Sequence, residues 1–531
     1  MVAAMAPPAG TAAAPAGSSL AKYYLTCAID YANGDPHLGH AFEKIGADAI
    51  ARYRRLLGDD VHFLVGMDEH GQKVAQAAAA RGIEPQALVD EISARFESVW
   101  RRLGIAYDTF MRTTAVSHKR GVTAFIEQIA ERTPDVFYEK EYEGWYCVGC
   151  ELFKRETEIV DKKCVLHPSL ELQWTRERNW FFRLSSYSDF LSAHIEANPD
   201  FIQPPARRNE IRALISGGLD DISITRSRLA WAIPFPLQNA DGETQGTWVW
   251  FDALPNYLTA TGYPGAGFDR LWPADLHVIG KDITRLHCVV WPAMLKAAGL
   301  ALPARVWAHG FVLLGGERFS KSAGVGIDFD EAIGRYGADA FRYFLLREVP
   351  FDGDGTFSWE RFDERYNSDL ANSLGNLASR TIAMVEKYRG GVVPTAARNE
   401  IDALDERDLL RYHSTLDGTD GFLLHEAIRA VLKTVARGNE YVDQKAPWKL
   451  AKDKSLGAEL DATLATLVRQ LARQAICLCP FIPEKSQELW SALGGPGSVS
   501  DQRFAALRAL DVTGWRVKKA PPLFPKREHA V

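Results

Sequence analysis

His37 and His40 are the first residues whose types and spacing could do chemistry. They lie in Asp35-Pro36-His37-Leu38-Gly39-His40, after the apolar run 23–29 and before a helical pattern over 41–57. The run reads as a buried strand, so both imidazoles sit where a strand turns into a helix. A helix N-terminus there presents open backbone N–H groups and the positive end of the dipole, which favours phosphate. The histidines add donors, and Gly39 lets a flat ligand approach the backbone. Taken alone, the same residues serve equally as a pair of helix caps.

A second segment adds to the first. Glu317-Arg318-Phe319-Ser320-Lys321-Ser322-Ala323-Gly324 sets a lysine between two serines, with Gly315 and Gly316 just before. That composition suits a flexible phosphate clamp, although by itself it is also what a solvated surface loop contains. The early HxGH and the late SKS together resemble the class I aminoacyl-tRNA synthetases, whose signatures are HIGH and KMSKS. Arg318 and Phe319 stand where Lys and Met are usual, and Lys321 is kept.

Five segments narrow the resemblance to the methionyl-tRNA synthetase family: Ile29 to His40, Gly66 to Gly71, Trp248 to Tyr257, Gly280 to Ile283 and His287 to Pro292. The likeness runs from about residue 20 to 455. It implies a ligase that activates L-methionine with ATP and magnesium to methionyl-adenylate plus pyrophosphate. The methionyl group then passes to the 3′-terminal adenosine of tRNA(Met), initiator included. By the same resemblance, His37, His40 and Lys321 are catalytic, and Gly39, Asp282, His309, Gly310 and Ser322 join them around ATP. Tyr31 and His287 supply donors near the methionine sulfur, and Asp68 pairs with the ammonium. Ile29, Trp250, Ala253, Leu254, Tyr257, Val290 and Trp291 form the walls.

The chemistry suits these residue types. Methionine offers one weakly accepting sulfur on an otherwise apolar side chain, so its pocket needs aromatic walls and one or two donors. Its carboxylate is already ionised at neutral pH, so adenylation needs positioning and charge stabilisation rather than a general base. Singly, Trp250, Tyr257 and Trp291 read as readily as core aromatics.

Cys147-x2-Cys150 is followed, after thirteen residues, by Cys164-x2-His167. Two ligand pairs on tight turns suit one tetrahedral zinc with three sulfurs and one nitrogen, a closed and therefore structural site. The pattern also resembles the single knuckle of bacterial methionyl enzymes. Seven cysteines among 531 residues do not suggest a disulfide framework, which fits a reducing cytoplasm.

The elements that must position these groups follow from periodicity. Strands over 23–29 and 61–65, helices over 41–57, 86–103 and 119–132, then strands over 276–279 and 305–313 around a helix over 284–298 give a βαβ rhythm. The expected fold is α/β: a Rossmann-type doubly wound parallel sheet from 20–135 and 247–320, behind a low-complexity leader over 1–19. Residues 136–246, rich in aromatics, Pro and Gly, read as an inserted connective domain carrying the zinc knuckle. Residues 321–368 read as the lysine loop and a stem-contact region, and 369–531 as an all-α anticodon-binding bundle. There, Asn376 and Arg380 share a helix face, and Trp448 follows a proline as a stacking platform. The resemblance makes these three the readers of the CAU anticodon. Singly, they read as surface and inter-helix residues.

Net charge is −6, so any nucleic-acid contact must come from a local patch. Arg516, Lys518, Lys519, Lys526 and Arg527 are one candidate; a solvated end is the alternative. No run approaches a membrane span, and a monomer is expected. Another class I synthetase, or a nucleotidyltransferase with HxGH, is the competing enzyme. Leucine-, isoleucine- and valine-type synthetases carry a longer editing insertion than 136–246, and small nucleotidyltransferases lack the bundle. A non-catalytic tRNA-binding scaffold is opposed by His37, His40, Asp68 and Lys321.

Overall fold

The apolar run near the start of the chain is the central strand of a seven-stranded sheet. A computed structural model describes residues 20–148, 152–154, 156–165, 167–227, 229–314, 317–318 and 328–526. In spatial order, Ile202–Gln203, Val306–His309, Leu276–Gly280, Lys22–Cys27 and Asp60–Asp68 lie side by side, and both Asp30–Tyr31 and Thr109–Arg112 add to Asp60–Asp68. Every pairing is parallel. A parallel sheet is covered on both faces, which is why consecutive residues of its central strands are buried: Leu25, Thr26 and Cys27, and Phe63, Leu64 and Val65. The doubly wound architecture expected from the βαβ rhythm is present.

The chain leaves Lys22–Cys27 towards Asp60–Asp68 and later returns on the opposite side through Leu276–Gly280. That reversal makes the gap between these strands a switch point, where ligands bind such sheets. Helix Leu38–Leu57 starts at this gap and ends at Gly58, whose φ of 98° closes the last turn through N–H donation to Arg54 and Arg55 carbonyls. Halfway along, buried Asp48 accepts from Arg342 Nη2 at 2.6 Å. Arg342 is itself fully buried and donates to the carbonyls of Leu103, Pro480 and Phe481. One satisfied guanidinium thus ties the histidine-bearing helix to the C-terminal helices.

Within 136–246, Phe137–Cys147 and Gln173–Phe182 form a long antiparallel ribbon. The same stretch returns Ile202–Gln203 to the edge of the main sheet, with Ile202 opposite Val306. The C-terminal helices are Asn376–Arg389, Glu400–Ser414, Leu424–Lys445, Gly457–Leu478 and Pro483–Ala492, as the all-α reading of 369–531 requires. Leu370, Leu374 and Leu377 are buried, and Met384 on the same helix run is partly buried. The basic tail is docked over its described part: Val517 and Phe524 are buried, and Lys518 N–H donates to Ala492. Arg527 lies outside the described residues. Among the described residues no helix is long and apolar enough to cross a membrane.

Two helices differ from expectation. The segment 284–298, expected as one regular helix, opens with a wide π turn, Leu286–Val290, before Trp291–Ala298. Pro292 has no N–H for the carbonyl of Cys288, four residues back, and its ring would clash there; the wider turn relieves both. A second π segment, Tyr366–Gly375, precedes Asn376–Arg389. Helices Gln72–Arg81, Phe329–Tyr336 and Ala338–Glu348 were not expected from periodicity.

Candidate active site

His37 caps helix Leu38–Leu57 and His40 is its third residue. His37 Nδ1 accepts from the N–H of Gly39 at 3.1 Å and of His40 at 3.4 Å, and His40 Nδ1 accepts from His37 N–H at 3.2 Å. The rings stack with centroids 3.5 Å apart. An accepting Nδ1 carries no proton, so the proton of each ring sits on Nε2. Capping and phosphate donation are therefore compatible: one ring edge closes the helix and the other carries a donor. A Cβ on Gly39 would press against the His37 ring at 3.1 Å, so a larger residue here would push that ring from its capping position.

His309 ends its strand at the same edge of the sheet, and exposed Asp282 follows Leu276–Gly280. The two flank Gly280, where a Cβ would lie 2.8 Å from Asp282 Oδ1 and 4.0 Å from His309 Nε2. Gly310 is required by backbone: a Cβ there would meet the Gly353 carbonyl at 2.0 Å. The chain then forms the hairpin Val312–Leu314 with Glu317–Arg318, the stem of the lysine loop. Lys321 and Ser322 lie outside the described residues.

Behind the imidazoles is a buried charged cluster the sequence reading did not identify. Lys44 Nζ donates to the Ala28 carbonyl at 2.8 Å, Asp30 Oδ1 at 2.6 Å and Glu43 Oε1 at 2.7 Å. Glu43 Oε2 lies 3.1 Å from His309 Nε2. Burial pushes the Asp30 carboxyl up to about 7 against the pull of Lys44. Glu43, equally buried, is held below the usual carboxylate range by Lys44 and His309.

Strand register makes Tyr31 and Asp68 neighbours on adjacent strands. Ile29 lies beside them, its Cγ2 2.8 Å from where a Cβ on Gly66 would stand. Trp250, Ala253 and Leu254 come from a short turn of helix. Tyr257 O–H donates to His287 Nε2 at 2.7 Å, and His287 Nδ1 donates to the Ile283 carbonyl at 3.0 Å. A carbonyl only accepts, so Nδ1 holds the proton and the neutral Nε2 accepts from Tyr257. Burial drives His287 down to about 4, which keeps it neutral. Its only proton is thus committed to Ile283, whereas the resemblance made it a donor near the sulfur. The Trp250 ring stands at 85° to His287, Trp291 lies 6.2 Å from Tyr257, and Val290 is buried in the π turn.

Asp252 ties the short helix that carries Trp250 to the chain just after Asp68. Its Oδ2 lies 2.6 Å from His70 Nδ1 and its Oδ1 2.8 Å from His118 Nε2, and His118 Nδ1 reaches Thr259 at 2.7 Å. All three charged or ionisable groups are buried. Burial would raise Asp252, but His70 and His118 outweigh it and hold the carboxyl at about 2. Asp68 and Trp250 each stand two residues from this junction. No spacing in the sequence could have shown it, because the partners are far apart along the chain.

The remaining groups lie elsewhere. Cys147 and Cys164 are buried together with Leu172 in a small cluster apart from both main cores, and Cys164 is opposite His167 in a hairpin. Cys150 and the His167 side chain lie outside the described residues. In the bundle, Arg380 pairs with Asp443 at 2.8 Å, Asn376 is exposed one turn before it, and Trp448 is 41% exposed beyond Ala446, whose φ is 42°.

This arrangement has known counterparts. The family model described as "tRNA synthetases class I (M)" matches residues 23–166 and 154–382. A methionine–tRNA ligase of Caldanaerobacter subterraneus is 41% identical over 95% of the chain and 78% of its own length. The chain belongs to the class I methionyl-tRNA synthetase family. The bundle of this synthetase matches the model described as the anticodon binding domain of methionyl tRNA ligase, over residues 389–530. A methionine–tRNA ligase of Streptomyces coelicolor is 40% identical to it, over 95% of the chain and 97% of the relative. Its fold superposes with a TM-score of 0.89 on Mycobacterium tuberculosis methionyl-tRNA synthetase in complex with methionyl-adenylate, at 40% identity, over 95% of this chain and all of that one. The parallel sheet with its C-terminal helices is the class I synthetase fold expected from HxGH and SKS.

Proposed function

We propose that the protein charges tRNA(Met), initiator included, with L-methionine in two steps at the switch point of its parallel sheet. In the first, the methionine carboxylate attacks the α-phosphorus of ATP and pyrophosphate leaves. Asp68 holds the ammonium, while Tyr31 and the Tyr257–His287 pair face the sulfur. Ile29, Trp250, Ala253, Leu254, Val290 and Trp291 close the recess. The Nε2–H groups of His37 and His40 donate to phosphate oxygens, and the N-terminal N–H groups of the helix add their dipole. Gly39, Asp282, His309 and Gly310 seat the nucleoside, and Lys321 with Ser322 closes over the pyrophosphate. Magnesium enters with ATP and offsets phosphate charge.

In the second step a ribose hydroxyl of the tRNA 3′-terminal adenosine attacks the methionyl carbonyl and AMP leaves. Asn376, Arg380 and Trp448 read the anticodon. Cys147, Cys150, Cys164 and His167 hold one zinc; buried, clustered thiols suit that donor set, and the ion would brace the end of the inserted ribbon. The protein acts as a cytoplasmic monomer in this reading.

The observation that most supports the reading is the pairing at one sheet edge of a capped donor pair with a cluster of buried aromatic side chains. ATP–pyrophosphate exchange across a panel of amino acids tests it. Exchange with methionine alone is expected; exchange with leucine or isoleucine, or with none, would overturn it.

A further inference from the structure

The reaction as proposed uses neither Asp30, Glu43 nor Lys44, yet all three are charged side chains more than nine-tenths buried at the back of the nucleotide site. Their bonds run as a chain. Asp30 Oδ1 holds Lys44, Lys44 holds Glu43, and Glu43 faces His309. At the other end, Asp30 Oδ1 is 4.0 Å from His40 Nε2. That is the edge of His40 left with the proton once its Nδ1 accepts from His37. Asp30 Oδ2 is buried without a hydrogen-bond partner among the described residues. A buried carboxylate oxygen left unmatched is costly, so it persists only where the surrounding structure holds it.

We infer that Asp30 is a positioning residue for adenylate formation: with its charge clamped on Lys44, it steadies His40 against the α-phosphate, while the same lysine, through Glu43, steadies His309. Lys44 spends its three donors on Ala28, Asp30 and Glu43, so the clamp joins the first strand, the histidine-bearing helix and the far strand that ends at His309. A displacement of about 1 Å at such a site costs up to about a hundredfold in rate.

The inference includes a pH dependence. The groups facing Asp30 are Lys44, Glu43 and His40 from the helix, the Cys27 thiol from the first strand, and His309 through Glu43. Burial places the Asp30 ionisation at about 7. Below that pH Asp30 takes a proton and its hold on Lys44 weakens; above it the clamp is charged and tight. Adenylate formation should therefore rise as pH increases through about 7.

This inference rests on the reaction proposed above, and one experiment separates the two. Methionine-dependent ATP–pyrophosphate exchange is followed from about pH 5.5 to 8.5, which brackets the Asp30 ionisation. No exchange by the native protein at any pH counts against the reaction itself. If native exchange rises through neutrality, Asp30→Asn should abolish the rise and leave a flat profile about tenfold lower at the alkaline end, with methionine KM unchanged. Because Asp30→Asn leaves Lys44 with one charged partner fewer, Asp30→Asn/Lys44→Met, which removes both charges, is measured beside it and should show the same flat profile. A variant that keeps the native profile, or loses the same factor at every pH, overturns the inference. So does loss of fold in both variants, which would assign the cluster to stability alone.

Discussion

His40 Nδ1 accepts the backbone N–H of His37 at 3.2 Å while His37 Nδ1 accepts in return from the first turn, so each imidazole caps the helix with one edge and keeps its proton on the other. Asparagine at position 37 can still cap a helix through its side-chain oxygen but cannot present Nε2–H to phosphate. His37→Asn is expected to keep stability within about 1 kcal/mol of native and to slow adenylate formation at least a hundredfold. Thermal melting and a pyrophosphate burst measured on the same sample check the separation.

Tyr257→Phe removes the O–H donated to His287 and leaves a buried ring nitrogen unmatched among the described residues. Methionine KM is expected to rise about tenfold or more, with stability lower by about 1–3 kcal/mol. A separate pH effect belongs to His287. It stays neutral in the fold down to about 4, whereas an unfolded chain takes the proton near 6.5. The stability of the native protein should therefore fall as pH drops from about 6.5 to 4, by roughly 3 kcal/mol, and His287→Gln should flatten that slope. Urea titrations at several pH values give the measurement.

Asp252 is buried between two imidazoles, so Asp252→Asn removes inside the protein the charge that both of them face. A cost of about 3–5 kcal/mol is expected at neutral pH, with a higher methionine KM because Trp250 shares its helical turn. The Asp252 carboxyl ionises at about 2 in the fold, below its ordinary value. Its contribution is therefore complete above about pH 4 and disappears as pH falls through 2, so native and variant stabilities should converge in acid.

Trp448 stands 41% exposed in the same bundle as the Arg380–Asp443 pair. Trp448→Ala is expected to raise the tRNA KM about tenfold to a hundredfold, the range for losing one base-stacking contact, while pyrophosphate exchange stays native. An equal loss in both assays would give the ring a packing role.

Elemental analysis is expected to find one zinc per chain, and Cys164→Ser to lower that content. A folded, metal-free native protein would remove the ion from the proposal.

Much of the architecture was legible because it rests on short-range pattern. The helix around 41–57 carries its apolar positions at helical spacing, and the two central parallel strands are mostly apolar, so their spans emerge within a few residues. The π turn holding His287 was missed although Pro292 signals it, since a periodicity count treats the stretch as one regular helix. The short strand Ile202–Gln203 was missed because two residues carry no period, and its partner Val306 lies about a hundred positions away.

The sequence by itself determined which groups could act: two imidazoles at a helix start, a carboxylate after the second strand, and cysteine and histidine in ligand-like pairs. These are local facts, set by backbone propensity and spacing. Only the tertiary structure decided how those groups are charged and which way they donate. Asp252 meets His70 across 182 positions and His118 across 134, and Glu43 meets His309 across 266. Burial and partner determine whether an acid is held near 2 or pushed to about 7, and both are properties of the folded interior, where distant segments meet out of water.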